Sequence, residues 1–120
     1  MSNYLKKRFL SFNYAFQGIR ALFTETPNAF IHLILAVAAV AMGFILRISR
    51  EEWLAVVIVI GLVFAMEALN TAVETLANYA CKKEIHPMIK KVKDLSAAAV
   101  LLAALAALVV GIMVFLPKMI

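Results

Sequence analysis

The chain has 120 residues, enough for one domain, and 65% of them are hydrophobic. Soluble globular domains contain roughly 45–50% apolar residues, so this composition excludes an ordinary soluble protein. The formal net charge of +5 is compatible with a nucleic-acid partner, but the cations flank long apolar segments and no nucleic-acid motif accompanies them. We therefore expect a membrane protein with no nucleic-acid partner, in which the lone Cys81 carries no disulfide or zinc signal.

The first element is an amphipathic surface helix over about residues 4–24. Its apolar residues recur at spacings of three and four, as on one face of a helix; they are Phe9, Phe12, Phe16, Ile19 and Phe23. Such a helix lies flat on a membrane, with its apolar stripe among acyl chains and its cations among anionic headgroups. The segment around Thr26 ends it, because Pro27 disfavours helical geometry at Thr26 and suits the first turn of a following helix.

Three apolar segments follow, each long enough to cross a bilayer, which takes about 20 helical residues. We place these spans at about residues 29–47, 52–78 and 92–116. The prediction is therefore an all-α integral membrane domain covering residues 1–120, with one surface helix and three transmembrane helices. Gly43 and Gly61 are expected to allow close approach between helices.

Basic residues are concentrated before the first span and between the second and third spans. They are Lys6, Lys7, Arg8 and Arg20 in the first group, and Lys82, Lys83, Lys90, Lys91 and Lys93 in the second. Loops rich in Lys and Arg stay in the cytoplasm. We therefore expect a cytoplasmic N-terminus, a cytoplasmic second loop and a C-terminus outside.

Polar residues interrupt the second span at one face. Glu67, Asn70 and Glu74 have the spacing i, i+3, i+7, which aligns them on a helix. An acid in a bilayer costs roughly 2.5–3.5 kcal/mol, so it is rarely present without a partner or a function. Glu74 is expected near the cytoplasmic interface, and Glu67 lies roughly 10 Å deeper at 1.5 Å per residue. That depth suits a base that acts on the hydroxyl of a membrane lipid.

Other charged residues are expected at the depth of Glu74. Glu25 lies in the turn before the first span, and Lys93 and Asp94 directly precede the third. Carboxylate and amide oxygens suit Mg²⁺, and lysines suit phosphates. These residues predict phosphoryl transfer from a cytoplasmic nucleotide to a membrane-embedded alcohol. Neither a Walker A sequence nor a Gly-rich kinase loop is present.

Other interpretations of the same residues remain open. A small proton-coupled transporter would use Glu67 as its titrating site, although the remaining polar groups cluster on the cytoplasmic side. An assembly subunit with satisfied interhelical contacts would leave Lys93 and Asp94 unexplained. Glu25 alone fits a solvated helix end equally well, and His32 fits a hydrogen-bonded packing residue better than a ligand.

Three motifs follow one another in the chain: an ExxNxxxE run from Glu67 to Glu74, then Glu84-Ile-His86-Pro, then Lys93-Asp94 before an Ala-rich span. Together they resemble the prokaryotic diacylglycerol kinase family. Matches at Tyr14, at Asn28 and over 49–53 extend the resemblance to nearly the whole chain. It implies a homotrimer in the bacterial cytoplasmic membrane with active sites between protomers. It also implies transfer of the ATP γ-phosphate, with Mg²⁺, to diacylglycerol or undecaprenol.

The resemblance implies roles for individual residues as well. Glu67 is the implied catalytic base, and Glu67 and Ala97 are the implied contacts of the lipid substrate. Glu74 and Glu25 would hold Mg²⁺, assisted by Asn70. The residues implied in ATP binding are Lys7, Tyr14, Glu25, Asn70, Glu74, Glu84, His86, Lys93 and Asp94.

Two positions depart from the family pattern. The acid that most often holds the metal falls on Thr26 in this chain, so the neighbouring Glu25 would have to replace it. An Asp that is usual in the family is replaced by Asn78. That change removes one negative charge near the second loop and is expected to weaken a supporting contact.

Overall fold

The computed structural model describes residues 2–82, 84 and 86–120, and Lys83, one of the lysines used to orient the chain, lies outside them. The described residues form four helices and no strand: α1 (Ser2–Glu25), α2 (Pro27–Ile45), α3 (Arg50–Cys81) and α4 (Pro87–Met119). By length and composition, α2, α3 and α4 could each cross a membrane. The predicted all-helical class with three candidate membrane spans is confirmed.

The break between α1 and α2 lies where the sequence predicts it. Thr26 has an extended backbone, with φ −119° and ψ 103°, and Pro27 begins α2. A proline in the first turn removes no helical hydrogen bond, because the first N–H groups of a helix have no intrahelical acceptor.

Only the C-terminal part of α1 packs against the other helices. Leu22 is buried, and the ring of Phe23 lies 5.6 Å from the ring of Phe64 of α3, measured between centroids. The apolar stripe from Phe9 to Ile19 is exposed in the single chain. The location of this stripe on a membrane surface stays a prediction.

A tight turn over residues 46–49 joins α2 to α3, and Ser49 caps α3. The Ser49 hydroxyl accepts a hydrogen bond from the Glu52 N–H at 3.2 Å, and the Glu52 carboxylate accepts one from the Ser49 N–H at 2.9 Å. This capping box satisfies two amides that the start of a helix otherwise leaves unpaired.

Close packing at this turn depends on a glycine. A Cβ atom added to Gly43 would lie 2.6 Å from Cη2 of Trp53, and the Trp53 ring also packs on Phe44 at 4.8 Å between centroids. The close approach expected at Gly43 is therefore confirmed. At Gly61 a Cβ atom would meet nothing within 4 Å in the single chain, so the same expectation is not met there within one chain.

α3 and α4 share the most extensive helix–helix contact. They contain 32 and 33 residues, which makes each about 48–50 Å long, longer than the roughly 30 Å hydrocarbon core of a bilayer. Both helices therefore extend beyond the core. A buried cluster of Ile48, Val56, Val114 and Phe115 joins them near the 46–49 turn. The opposite ends of α3 and α4 carry the polar groups of the candidate site.

Candidate active site

The polar face of α3 runs from a buried residue, Glu67, to an exposed one, Glu74. Glu67 is 1% exposed, Asn70 is half-buried and Glu74 is exposed. Seven helical residues separate Glu67 from Glu74, a rise of roughly 10 Å toward the end of α3 at Cys81. The three side chains thus share a face but occupy different environments.

Glu67 is paired with His32 of α2. The Nε2 atom of His32 lies 3.0 Å from Oε1 of Glu67, and the His32 side chain is 21% exposed. A buried carboxylate needs such a partner, because burial of an unpaired charge is strongly unfavourable. The prediction that His32 is hydrogen-bonded is confirmed, whereas its pairing with the predicted base did not follow from the sequence.

An apolar groove of about 590 Å³ lies between α2, α3 and α4. Its lining comes from His32 to Met42 on α2, from Val56 to Phe64 on α3 and from Ala104 to Met119 on α4. His32 is the sole polar side chain among the described residues of this lining. A long hydrocarbon chain can lie on such a surface by hydrophobic burial, with its polar end near His32, the partner of Glu67.

The break between α1 and α2 is tied to the polar face of α3. The hydroxyl oxygens of Thr26 and Thr71 lie 2.9 Å apart. Because Glu25 precedes Thr26 and Glu74 lies three residues beyond Thr71, both acids belong to the same end of the molecule, and both are exposed. Among the described residues no group of three or more His, Cys, Asp or Glu side chains is arranged to hold a metal ion.

Asn70 supplies an additional oxygen atom on the face of α3 that carries Glu74. Its Oδ1 is buried and has no hydrogen-bond partner in the described chain, although buried polar atoms normally have one. Asn70 and Glu74 are four residues apart and so face the same side of α3. Carboxylate and amide oxygens are the ligands that Mg²⁺ prefers. The set of Glu25, Asn70 and Glu74 therefore fits a magnesium ion in its chemistry.

A second cavity, the polar cleft, of about 480 Å³ lies between the end of α3 and the start of α4. It is lined by Asn78, Cys81, Glu84, His86, Ile89, Lys90, Lys93 and Asp94. The residues predicted for ATP binding that line it are Glu84, His86, Lys93 and Asp94. The cleft thus collects two lysines, two acids and other hydrogen-bonding groups beside the exposed end of the α3 face.

The two lysines of the cleft have different partners. Lys90 Nζ donates to Asp94 Oδ2 at 2.7 Å, whereas Lys93 Nζ donates to the amide oxygen of Asn78. Asn78 therefore keeps a contact with Lys93, although an amide does not neutralise the ammonium as a carboxylate would. From the sequence, Lys90 was expected only to orient the chain, and the signal for its contact was its i, i+4 spacing to Asp94.

His86 caps α4 in addition to lining the cleft. Its Nδ1 accepts a hydrogen bond from the Met88 N–H at 3.1 Å, and Pro87 follows in the first turn of the helix. In a neutral imidazole one nitrogen accepts and the other donates, so the Nε2–H of His86 is the donor.

Four predicted site residues line the polar cleft, and the other seven line neither cavity: Lys7, Tyr14, Glu25, Glu67, Asn70, Glu74 and Ala97. Lys7 and Tyr14 lie on the exposed part of α1, and Ala97 is exposed on α4, three residues beyond Asp94. One chain therefore places Glu67, Asn70 and Glu74 along one face of α3, with the cleft at the end of that helix. It does not bring the first half of α1 to them.

The chain is similar to proteins of one family over most of its length. The sequence model of the family described as prokaryotic diacylglycerol kinase matches residues 13–115. The chain is 35% identical over 117 residues to the undecaprenol kinase of Bacillus subtilis strain 168, covering 98% of this chain and 94% of that protein. It is 34% identical over 110 residues to a diacylglycerol kinase of Synechocystis, covering 92% of this chain and 63% of that protein.

Proposed function

This chain belongs to the prokaryotic diacylglycerol kinase family and is an ATP-dependent membrane lipid kinase, and on that premise we propose how its residues perform the transfer. Glu67 is the general base, the apolar groove holds the lipid chain and the polar cleft holds the nucleotide. The observation that carries this proposal is the position of Glu67, which is 1% exposed and bonded to the polar residue that lines the groove.

In the proposed reaction the lipid oxygen attacks the γ-phosphorus of ATP directly. The lipid O–H bond breaks as the O–P bond forms, and the bond from the γ-phosphorus to the β–γ bridging oxygen breaks to release ADP. Glu67 accepts the hydroxyl proton, a contribution of typically 10²–10⁴-fold for general-base catalysis. Burial of Glu67 limits access of water, which would otherwise compete with the lipid as the acceptor.

The cleft residues bind the phosphates and position the nucleotide. Lys93 donates to phosphate oxygens, because its ammonium is partnered by a neutral amide. Asp94 is held by Lys90, and Glu84 and His86 complete the cleft. Lys7 and Tyr14 do not line it within one chain, so we assign them to a nucleotide contact from α1 of a neighbouring protomer in a homotrimer.

The metal would be held near the α1–α2 break. Glu74, Asn70 and Glu25 are the proposed ligands, and Glu25 takes the place of the acid that the family usually has at the position of Thr26. When bound, Mg²⁺ neutralises charge on the transferring phosphates. The unpartnered Oδ1 of Asn70 supports this assignment.

The lipid substrate is a membrane alcohol of the diacylglycerol or undecaprenol kind, with Ala97 as its proposed contact on α4. We place the chain in the bacterial cytoplasmic membrane, with the N-terminus and the connection between α3 and α4 on the cytoplasmic side, where ATP is available. A proton pathway along the groove would need several polar groups, but among its described lining residues only His32 is polar. Proton-coupled transport is therefore not favoured.

The test is Glu67→Gln, which keeps the size of the side chain and removes its basicity. We expect at least a 10²-fold loss of kcat with trimer assembly unchanged, measured as label transferred from γ-labelled ATP to diacylglycerol and, separately, to undecaprenol. Glu51→Gln is the matched control, since Glu51 is an exposed acid at the opposite end of α3. Unchanged turnover in Glu67→Gln would remove the proposed base.

A further inference from the structure

We propose that His32 is a positioning residue for this transfer: it fixes the Glu67 carboxylate through Nε2 and so presents the second carboxylate oxygen to the lipid hydroxyl. The inference rests on the proposed role of Glu67 as the base. It is carried by the 3.0 Å contact between His32 Nε2 and Glu67 Oε1 and by the location of His32 in the lining of the apolar groove.

The direction of the hydrogen bond follows from the chemistry of the base. An ionised carboxylate can only accept hydrogen bonds, so Nε2 of His32 must carry the ring proton while Glu67 is ready to act. The distance of 3.0 Å is normal for an N–H···O bond. Because Oε1 is engaged, Oε2 is the oxygen that takes the lipid proton. Proton transfer to Oε2 leaves the bond from His32 to Oε1 intact, so His32 itself gains and loses no proton.

The same side chain also contacts the space proposed for the lipid. The His32 side chain is 21% exposed and lines the groove, whereas Glu67 is almost fully buried and does not line it. A hydroxyl at the end of a chain in the groove thus meets a base whose rotation is already restricted. Restricting a catalytic group in this way lowers the entropic cost of reaching the reactive geometry.

The alignment of α2 on α3 does not depend on His32 alone. The Thr26–Thr71 bond links the start of α2 to α3, six residues before His32 and four residues beyond Glu67. Removal of the imidazole therefore leaves a second polar link between the same helices. The effect of His32 on the reaction can thus be separated from an effect on folding.

The activity test compares three substitutions at one position. His32→Phe and His32→Leu remove the donor and should lower kcat about 10- to 100-fold, with the KM for ATP unchanged because the polar cleft is untouched. His32→Gln keeps an N–H donor and should restore most of the lost kcat. Ile34→Phe is the matched control, since Ile34 lies on the same helix, is exposed and does not line the groove.

The tautomer of His32 can be measured by spectroscopy without any enzyme turnover. The chain has two histidines, so the His86→Gln variant leaves one imidazole, whose ¹⁵N shifts report its tautomer in detergent. We expect His32 to be protonated at Nε2 and bare at Nδ1, and we expect Glu67→Gln to change the Nε2 shift. A proton on Nδ1 alone would overturn the proposed bond direction.

The outcomes separate this inference from the function on which it rests. An inactive Glu67→Gln together with normal kcat in His32→Phe would overturn the role of His32 and leave the base in place. Normal kcat in Glu67→Gln would overturn both. Equal losses in His32→Gln and His32→Phe would overturn the positioning role, because the donor would then not matter. If His32→Phe fails to assemble, the kcat of His32→Gln and the measured tautomer of His32 still test the positioning role.

Discussion

Replacement of Lys93 by Met should impair the use of ATP far more than the same substitution at Lys90, three residues away on α4. Both lysines line the polar cleft. Lys90 lies 2.7 Å from the Asp94 carboxylate, so its charge is already balanced. Lys93 donates to the neutral amide of Asn78, and its positive charge remains available to a phosphate.

The expected magnitudes follow from these partners. A hydrogen bond between charged groups contributes about 1.5–3 kcal/mol, which corresponds to a loss of roughly 10- to 150-fold in kcat/KM for ATP in Lys93→Met. The side chains of Lys90 and Asp94 are 72% and 63% exposed. An exposed i, i+4 pair is worth about 0.3–0.5 kcal/mol, so Lys90→Met should cost about twofold.

The assay measures initial rates of lipid phosphorylation at saturating lipid over a range of ATP concentrations. Thermal unfolding and elution volume in detergent check that both variants are assembled, and the KM for lipid should stay constant. Equal losses in the two variants would refute the argument from their partners. A Lys93→Met defect that appears only in the KM for lipid would refute the placement of the phosphates in the cleft.

Three further predictions test other parts of the molecule. Asn70→Ala should raise the Mg²⁺ concentration for half-maximal activity about tenfold, since an oxygen ligand to a metal is lost, with an unchanged KM for lipid. Gly43→Ala should lower the free energy of unfolding by about 1–3 kcal/mol through overpacking against the Trp ring, measured by thermal unfolding in detergent, whereas Gly61→Ala should not. The proposed orientation puts Cys81 on the cytoplasmic side and the C-terminus outside. A maleimide that cannot cross the membrane should therefore label Cys81 only after spheroplasts are lysed. It should label Ile120→Cys, in a Cys81→Ser background, without lysis.

Much of the helix arrangement can be predicted because its signals are local. Pro27 begins α2 as predicted, because a first-turn proline loses no hydrogen bond. Pro87 begins α4 in the same way, although the third span was expected only from about residue 92. The lengths of the apolar segments predict three spans, since the bilayer fixes how many helical residues are needed. The Ser49–Glu52 capping box is equally local.

The contacts across helices could not be predicted in the same way. Glu67, Asn70 and Glu74 share a face because helical periodicity alone dictates it. The partner of Glu67 depends instead on how α2 is rotated and shifted against α3, and apolar packing determines both. His32 lies 35 residues earlier in the chain, so no spacing rule connects the two. The contact of Lys90 with Asp94 is local, since the two residues are four apart in α4. It was missed because a lysine-rich segment is explained by topology alone.

The positions along α3 also restrict how the nucleotide can bind. Glu67 is buried, whereas Asn78 lines the cleft eleven residues later, a rise of roughly 16 Å. The lipid hydroxyl must reach Glu67 if Glu67 is the base, as proposed, and Lys93 lies at the level of Asn78. The transferred phosphate therefore has to extend from the cleft along the face that carries Glu74 and Asn70. With the nucleoside in the cleft, as proposed, the terminal phosphate extends furthest toward Glu67, which agrees with the proposed transfer of the γ-phosphate.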